Sequence, residues 1–162
     1  MKRAKILIIT LFVSSLSLFT SCLKSGLDEL PVYTDADITN IYFEYRYKDA
    51  ATTWTDGSLV VKYVTLTLTT KTIDNTSNTV TVALSVPTAS GTFTSAERAK
   101  VALTNIVGMT NVSTAAKIEP VEGASELGVP GDFSSPRKYK VTAADGKTTK
   151  TWTINVTGLT KP

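Results

Sequence analysis

Residues 139–156 read YKVTAADGKTTKTWTINV, and their alternation decides the fold. Tyr139, Val141 and Ala143 share one face of an extended segment; Trp152, Ile154 and Val156 share one face of the next. Lys and Thr fill the positions between. Asp145-Gly146 lies in the middle, a hairpin signal because glycine adopts positive φ without steric penalty. A tight two-residue turn pairs Tyr139 with Trp152, whereas a four-residue loop over 145–148 pairs Val141 with Trp152. Both registers keep the apolar faces together. Either way, one side of this hairpin must be buried.

The same period of two runs outward from it. Ile41, Phe43, Tyr45 and Tyr47 alternate with Tyr42, Glu44, Arg46 and Lys48. After turn signals around Asp56-Gly57, Val60, Val64, Leu66 and Leu68 alternate with Tyr63, Thr65, Thr67 and Thr69. The stretch IDNTSN forms a turn, and Val80, Val82, Leu84 and Val86 resume the pattern until Pro87. Threonine, β-branched and polar, suits the solvent face of such strands. One segment departs from the pattern. Thr94 and Glu97 fit a capping box, and Ala99, Leu103 and Ile106 make a helical stripe, predicting a short helix over 95–103. Residues 112–121 read as a further strand, and 122–136, rich in Gly and Pro, as a long loop. The expected fold is all-β: a single immunoglobulin- or fibronectin type III-like β-sandwich of about seven strands over 37–162, with one short helix.

The N-terminus carries an address. Lys2, Arg3 and Lys5 precede an apolar and hydroxylated run from Ile6 to Phe19, too short for a spanning helix of roughly 20 residues but suited to a signal peptide. Thr20, Ser21 and Cys22 follow, with Phe19 where bacterial lipoprotein signals usually carry Leu. Cys22 is the single cysteine of the chain. A spare thiol in a secreted protein is a liability, so Cys22 reads as a lipid-attachment residue. Residues 1–21 are then the lipoprotein signal peptide and 22–36 a tether. The signal predicts a lipid-anchored protein.

Composition excludes several chemistries. The net charge of +3 belongs to Lys2, Arg3 and Lys5; the remainder holds 14 Lys/Arg against 14 Asp/Glu. No basic face marks a nucleic-acid partner. There is no histidine, which removes Ser-His-Asp and Cys-His nucleophiles and histidine-ligated zinc.

DITNIYFEYRY (residues 37–47), the strand Ala116–Pro120, Asp132-Phe133-Ser134 and the hairpin opening at Tyr139–Gly146 together resemble Bacteroidetes surface lipoproteins grouped as domain of unknown function 5018 and its relatives. The resemblance spans 37–157. It implies an immunoglobulin-like sandwich on an outer-membrane lipoprotein that faces the surface and is associated with polysaccharide uptake, and it carries over no catalytic residue.

Two features remain as candidate sites. Glu119, Glu122, Glu126 and Asp132 make the long loop acidic, but nothing fixes two carboxyls at the ~5 Å or ~6.5–9.5 Å that glycoside hydrolysis needs. No repeated Asp-rich loop suggests calcium. The loop reads as solvated, with no metal and no cofactor expected. The aromatics Tyr33, Tyr42, Tyr47, Trp54 and Tyr63 include residues off the apolar faces, and exposed aromatics stack on sugar rings. Trp54, in a turn, is the first glycan-binding candidate and Tyr42 the second; Trp152 belongs to the core. The expected function is a non-catalytic accessory or glycan-binding module of a polysaccharide-uptake assembly, its partners being the membrane through Cys22, polysaccharide and outer-membrane uptake proteins. The alternative is a structural or adhesive, fimbria-associated subunit.

Overall fold

The computed structural model describes residues 32–162. The strands are β1 (Ile38–Thr53), β2 (Leu59–Asp74), β3 (Thr79–Ser85), β4 (Ile106–Val112), β5 (Lys117–Val121), β6 (Pro130–Gly131), β7 (Arg137–Thr142) and β8 (Thr149–Thr160), with a helix α1 (Ser95–Lys100) between β3 and β4. They form one eight-stranded sheet in the order β5-β7-β8-β3-β2-β1-β4-β6. Only β3 and β8 run parallel; the other neighbours are antiparallel.

The fold is all-β as expected, but the picture of about seven strands in a sandwich needs correction. There are eight strands in one continuous sheet, because β2 serves both halves. It pairs with β1 over Leu59–Leu66 and with β3 over Thr67–Asp74. The sheet curls so that Phe43 of β1, Ile106 of β4, Val82 of β3, Tyr139 of β7 and Trp152 of β8 all join one core. The expected single strand over 112–121 is two. Ser113–Ala116 turn between them, with the Ser113 amide on the Asp37 carbonyl at 2.9 Å and Ala115 at φ 58°. β4 and β5 thereby lie toward opposite ends of the sheet. The helix is shorter than its stripe suggests: Thr94 accepts the Glu97 amide at 3.2 Å, and the helix stops before the buried Val101.

The deciding hairpin pairs Tyr139 with Trp152. Gly146 sits at φ 66°, and the Asp145 carboxylate accepts both following amides, Lys147 and Thr148, at 2.8 Å. Trp152 is 0% exposed, and its Nε1–H donates to the Ala36 carbonyl at 2.9 Å. Ala36, at the end of the segment read as tether, is itself buried. At the other end of the sheet Phe133 meets Phe43 edge-on, centroids 5.3 Å apart. Gly108 makes room for it: a Cβ there would lie 2.7 Å from Phe133 Cζ.

Candidate functional site

β4 pairs with β1 only as far as Glu44, while the β1–β2 ladder continues to Thr53 and Leu59. The end of β1 and the start of β2 therefore extend as a two-stranded arm, closed by a turn in which the Trp54 amide donates to the Ser58 carbonyl at 2.8 Å. The ladder slips between Asp49 and Thr53. Asp49, 3% exposed, organises that slip. Its carboxylate takes Lys62 Nζ at 2.6 Å, Thr52 Oγ1 at 2.7 Å and the Ala51 amide at 2.9 Å. These donors, Lys62 foremost, hold its pKa down to about 2. A depressed folded pKa stabilises the protein above the unfolded value of about 3.9 and loses that stabilisation as pH falls. Melts should therefore show an acid-dependent loss between about pH 4 and 2, and Asp49→Asn should reduce it, the remainder belonging to the other lowered aspartates. An unchanged pH slope in the variant would show that Asp49 does not anchor the arm.

The outward face of the arm carries an apolar strip: Leu59, Val61 and Tyr63 of β2, all exposed, with Trp54 in the turn beyond them. Tyr63 is 64% exposed and Trp54 63%. Tyr63 stands opposite Arg46 in the ladder. Arg46 Nε donates to Glu44 Oε1 at 2.6 Å, and its Nη1 donates to the Gly128 carbonyl at 2.7 Å, tying the long loop to the sheet. Glu44, Arg46, Val61, Lys62 and Tyr63 line a cleft of about 340 Å³.

The expected aromatics are only partly brought together. Trp54 is open to solvent. Tyr42 is 40% exposed, and its hydroxyl accepts the Asn40 side-chain amide at 2.6 Å. Tyr42 lies near the start of β1 and Trp54 just past its end, up to roughly 40 Å along the strand at about 3.3 Å per residue, so they form no single platform. Tyr47 is in the core, stacked beside Tyr45 and against Phe93. Tyr33 is exposed and gives its carbonyl to the Asp145 amide at 3.2 Å. Sequence reasoning named Tyr63 but ranked it below Trp54, and it missed the Glu44–Arg46 pair. The signal was Glu-x-Arg on one face of β1, which meets Tyr63 only once the β1–β2 register is known.

The acidic loop does not converge. Glu119 faces Lys140 at 3.3 Å, Glu122 faces Lys138 at 2.9 Å, and Asp132 pairs with Arg137. Glu126 borders a separate cleft of about 310 Å³ with Ile118, Pro120, Leu127 and Tyr139. Among the described residues no group of three or more His, Cys, Asp or Glu could hold a metal ion. A third cleft, about 280 Å³, includes Asp49 and Glu97. Both are engaged, Asp49 as above and Glu97 with Lys100 at 2.6 Å.

The displaced carboxylates all move downward. Asp56, Asp74, Asp132 and Asp145 are lowered first by the hydroxyls of Ser58, Ser77, Ser134 and Thr148 in their own turns. A general acid needs the opposite shift. Burial pushes Tyr139 up to about 12, and its hydroxyl donates to the Ser125 carbonyl at 2.8 Å. These are turn and core interactions.

No helix among the described residues is long and apolar enough to cross a membrane. Cys22 and the signal segment lie outside the described residues.

No curated protein matches this chain. Among solved structures, a Bacteroides fragilis protein assigned as secreted is similar at 40% identity and TM-score 0.73, over 81% of this chain and 100% of that one. A Bacteroides thetaiotaomicron protein assigned as a glycoside hydrolase is similar at 23% identity and TM-score 0.43, over 81% of this chain but 27% of its own, too little to carry an argument. Residues 38–155 match the family described as DUF5018-related. With most of the curled sheet inside that match and a relative of the same extent at 40% identity, the chain belongs to the DUF5018-related family.

Proposed function

We propose that this protein is a non-catalytic surface lipoprotein that binds glycan through the outward face of its β1–β2 arm, as an accessory module of a polysaccharide-uptake assembly. The observation that carries the reading is the strip of Leu59, Val61 and Tyr63 leading toward Trp54, exposed on one arm next to a polar pair. Apolar side chains gathered on an outward strand face mark an interaction site more often than isolated ones do. Aromatic rings give a sugar a large apolar surface at low entropic cost. Tyr63 is the centre of the site, Trp54 an outlying contact, and Tyr42 lies beyond it. Titration calorimetry against a panel of plant and host polysaccharides tests this. Tyr63→Ala should weaken binding at least tenfold with the melt unchanged, because the ring makes little contact with the core. Binding indifferent to Tyr63→Ala would remove the arm from the account.

Anchoring belongs to the same proposal, with a diacylglyceryl group on Cys22 holding the protein at the outer membrane. Fatty-acid labelling of cells should mark the wild type and leave Cys22→Ala unlabelled and soluble. Membrane retention of the unlabelled variant would contradict the anchor. The adhesive alternative needs an open strand edge to accept a donor strand. The sheet ends at β5, a five-residue strand containing Pro120, and at β6, two residues including Pro130. These terminal strands are short and proline-bearing, the usual protection against added strands, whereas in the arm β1 beyond Glu44 and β2 over Leu59–Leu66 pair only with each other, so the edges such a donor would need lie there.

A further inference from the structure

We infer that the free edge of β2 over Leu59–Leu66 is a self-association site, which pairs antiparallel with the same edge of a second copy of this chain about a two-fold axis at Val61. The inference goes beyond the glycan reading and does not depend on it.

The backbone carries the first step. Over Leu59–Leu66, β2 pairs with β1 on one side, and β3 joins its other side only from Thr67 onward. Among the described residues no backbone bond from a loop or turn reaches this stretch. A row of N–H and C=O groups therefore stands open, a template for another strand. The segment LVVKYV over 59–64 is β-prone, free of Gly and Pro, and carries one charge. That charge is engaged: Lys62 Nζ is held on Asp49 at 2.6 Å, on the face opposite Val61. The usual guards of an edge, a free lysine or a proline, are missing here.

The other edge of the arm decides what the partner is. β1 beyond Glu44 is also unpaired on its outer side, but it is guarded. Its ladder slips between Asp49 and Thr53, Lys48 is exposed, and Arg46 ties the Gly128 carbonyl of the long loop beside it. With β1 guarded, the match for a β2 edge is another β2 edge. Such an isologous contact closes as a dimer instead of growing into a fibre.

Register follows from space and charge. Centred on Val61, the two-fold axis sets Val61 beside its own copy and Leu59 beside Tyr63 of the second copy, joining the two outward apolar strips. The second copy's turn then ends beside Leu66, short of β3. One step further, at Lys62, the two lysines would stand face to face and the turn would run into β3, which occupies this edge from Thr67. One step back, at Val60, Tyr63 would face a turn residue instead of Leu59. In the Val61 register the two Lys48 side chains stay three strand spacings apart, roughly 14 Å, beyond the ~8 Å screening length of physiological salt. The outward face stays open to ligand.

The full-length protein carries the test. Wild type, whose single cysteine is Cys22, is the blank for oxidative cross-linking. Val61→Cys should yield a disulfide-linked dimer, because directly opposed Cβ atoms stand about 4.5–5.5 Å apart. Tyr63→Cys alone should yield at least fivefold less, and combining it with Leu59→Cys should restore the dimer. In sedimentation, the wild type should show a dimer fraction that rises with concentration. Val61→Lys and Val61→Glu should each weaken that dimer at least tenfold, and mixing the two should recover it. Their melts should match wild type, since Val61 is 59% exposed. A wild type monomeric at every concentration, more dimer from Tyr63→Cys than from Val61→Cys, or a mixture no tighter than either charged variant would overturn the inference. So would another protein's strand captured at this edge in place of a second copy. None of these outcomes touches the glycan reading, which the Tyr63→Ala titration tests.

Discussion

Trp152→Ala should cost about 3–5 kcal/mol of unfolding free energy, toward the upper end of that range. The indole is fully buried where β7 and β8 pair, opposite Tyr139 and in one cluster with Val80, Val141 and Ile154. Truncation leaves a large void that a sheet hydrogen-bonded on both sides of β8 cannot collapse to fill. It also strips the Ala36 carbonyl of its donor, and an unsatisfied buried polar group adds about 1–3 kcal/mol. The urea midpoint should fall steeply, and amide exchange should rise at Ala36–Ile38 as well as along the hairpin. A midpoint close to wild type would put Trp152 on the surface and reverse the facing of the whole hairpin.

Phe133→Ala should cost a similar ~3–5 kcal/mol, although the residue sits in an irregular segment. Its ring is fully buried, edge-on to Phe43, and occupies the space that Gly108 leaves. Its amide donates to the Leu103 carbonyl at 2.7 Å. Phe133 thus pins the chain between β6 and β7 to the core. Its loss should also loosen residues 125–136, held besides by Ser125 Oγ on the Asp132 amide at 3.1 Å. Equilibrium denaturation with hydrogen exchange over that segment measures both effects. A loss below about 1 kcal/mol, the range of ordinary surface substitutions, would mean the loop is not fastened through this ring.

These two residues show how unevenly the fold is written in the sequence. Trp152 is legible because strict alternation places it on the face shared with Ile154 and Val156. Phe133 is not, because a lone aromatic among Gly, Pro and Ser has no period to read. β6 escapes for the same reason: Pro130-Gly131 carries no alternation, and only Ile106 and Val107 of β4 opposite it make it a strand. The division of 112–121 into β4 and β5 turns on Ser113 bonding to the backbone of Asp37, a contact across more than seventy residues. Of the site, exposure at Trp54 was readable from its turn context. The cleft was not, since it depends on register: Arg46 meets Tyr63 only because the ladder runs without a slip from Phe43 to Asp49.

The most direct test of the central claim is amide chemical-shift mapping during titration with a soluble neutral glycan. The arm account predicts perturbations at Glu44–Arg46 and Val61–Tyr63, weaker ones near Trp54, and none at Ile118, Leu127 and Tyr139 around the loop-side cleft. Shifts confined to that cleft, or spectra that do not change at saturating glycan, would contradict it.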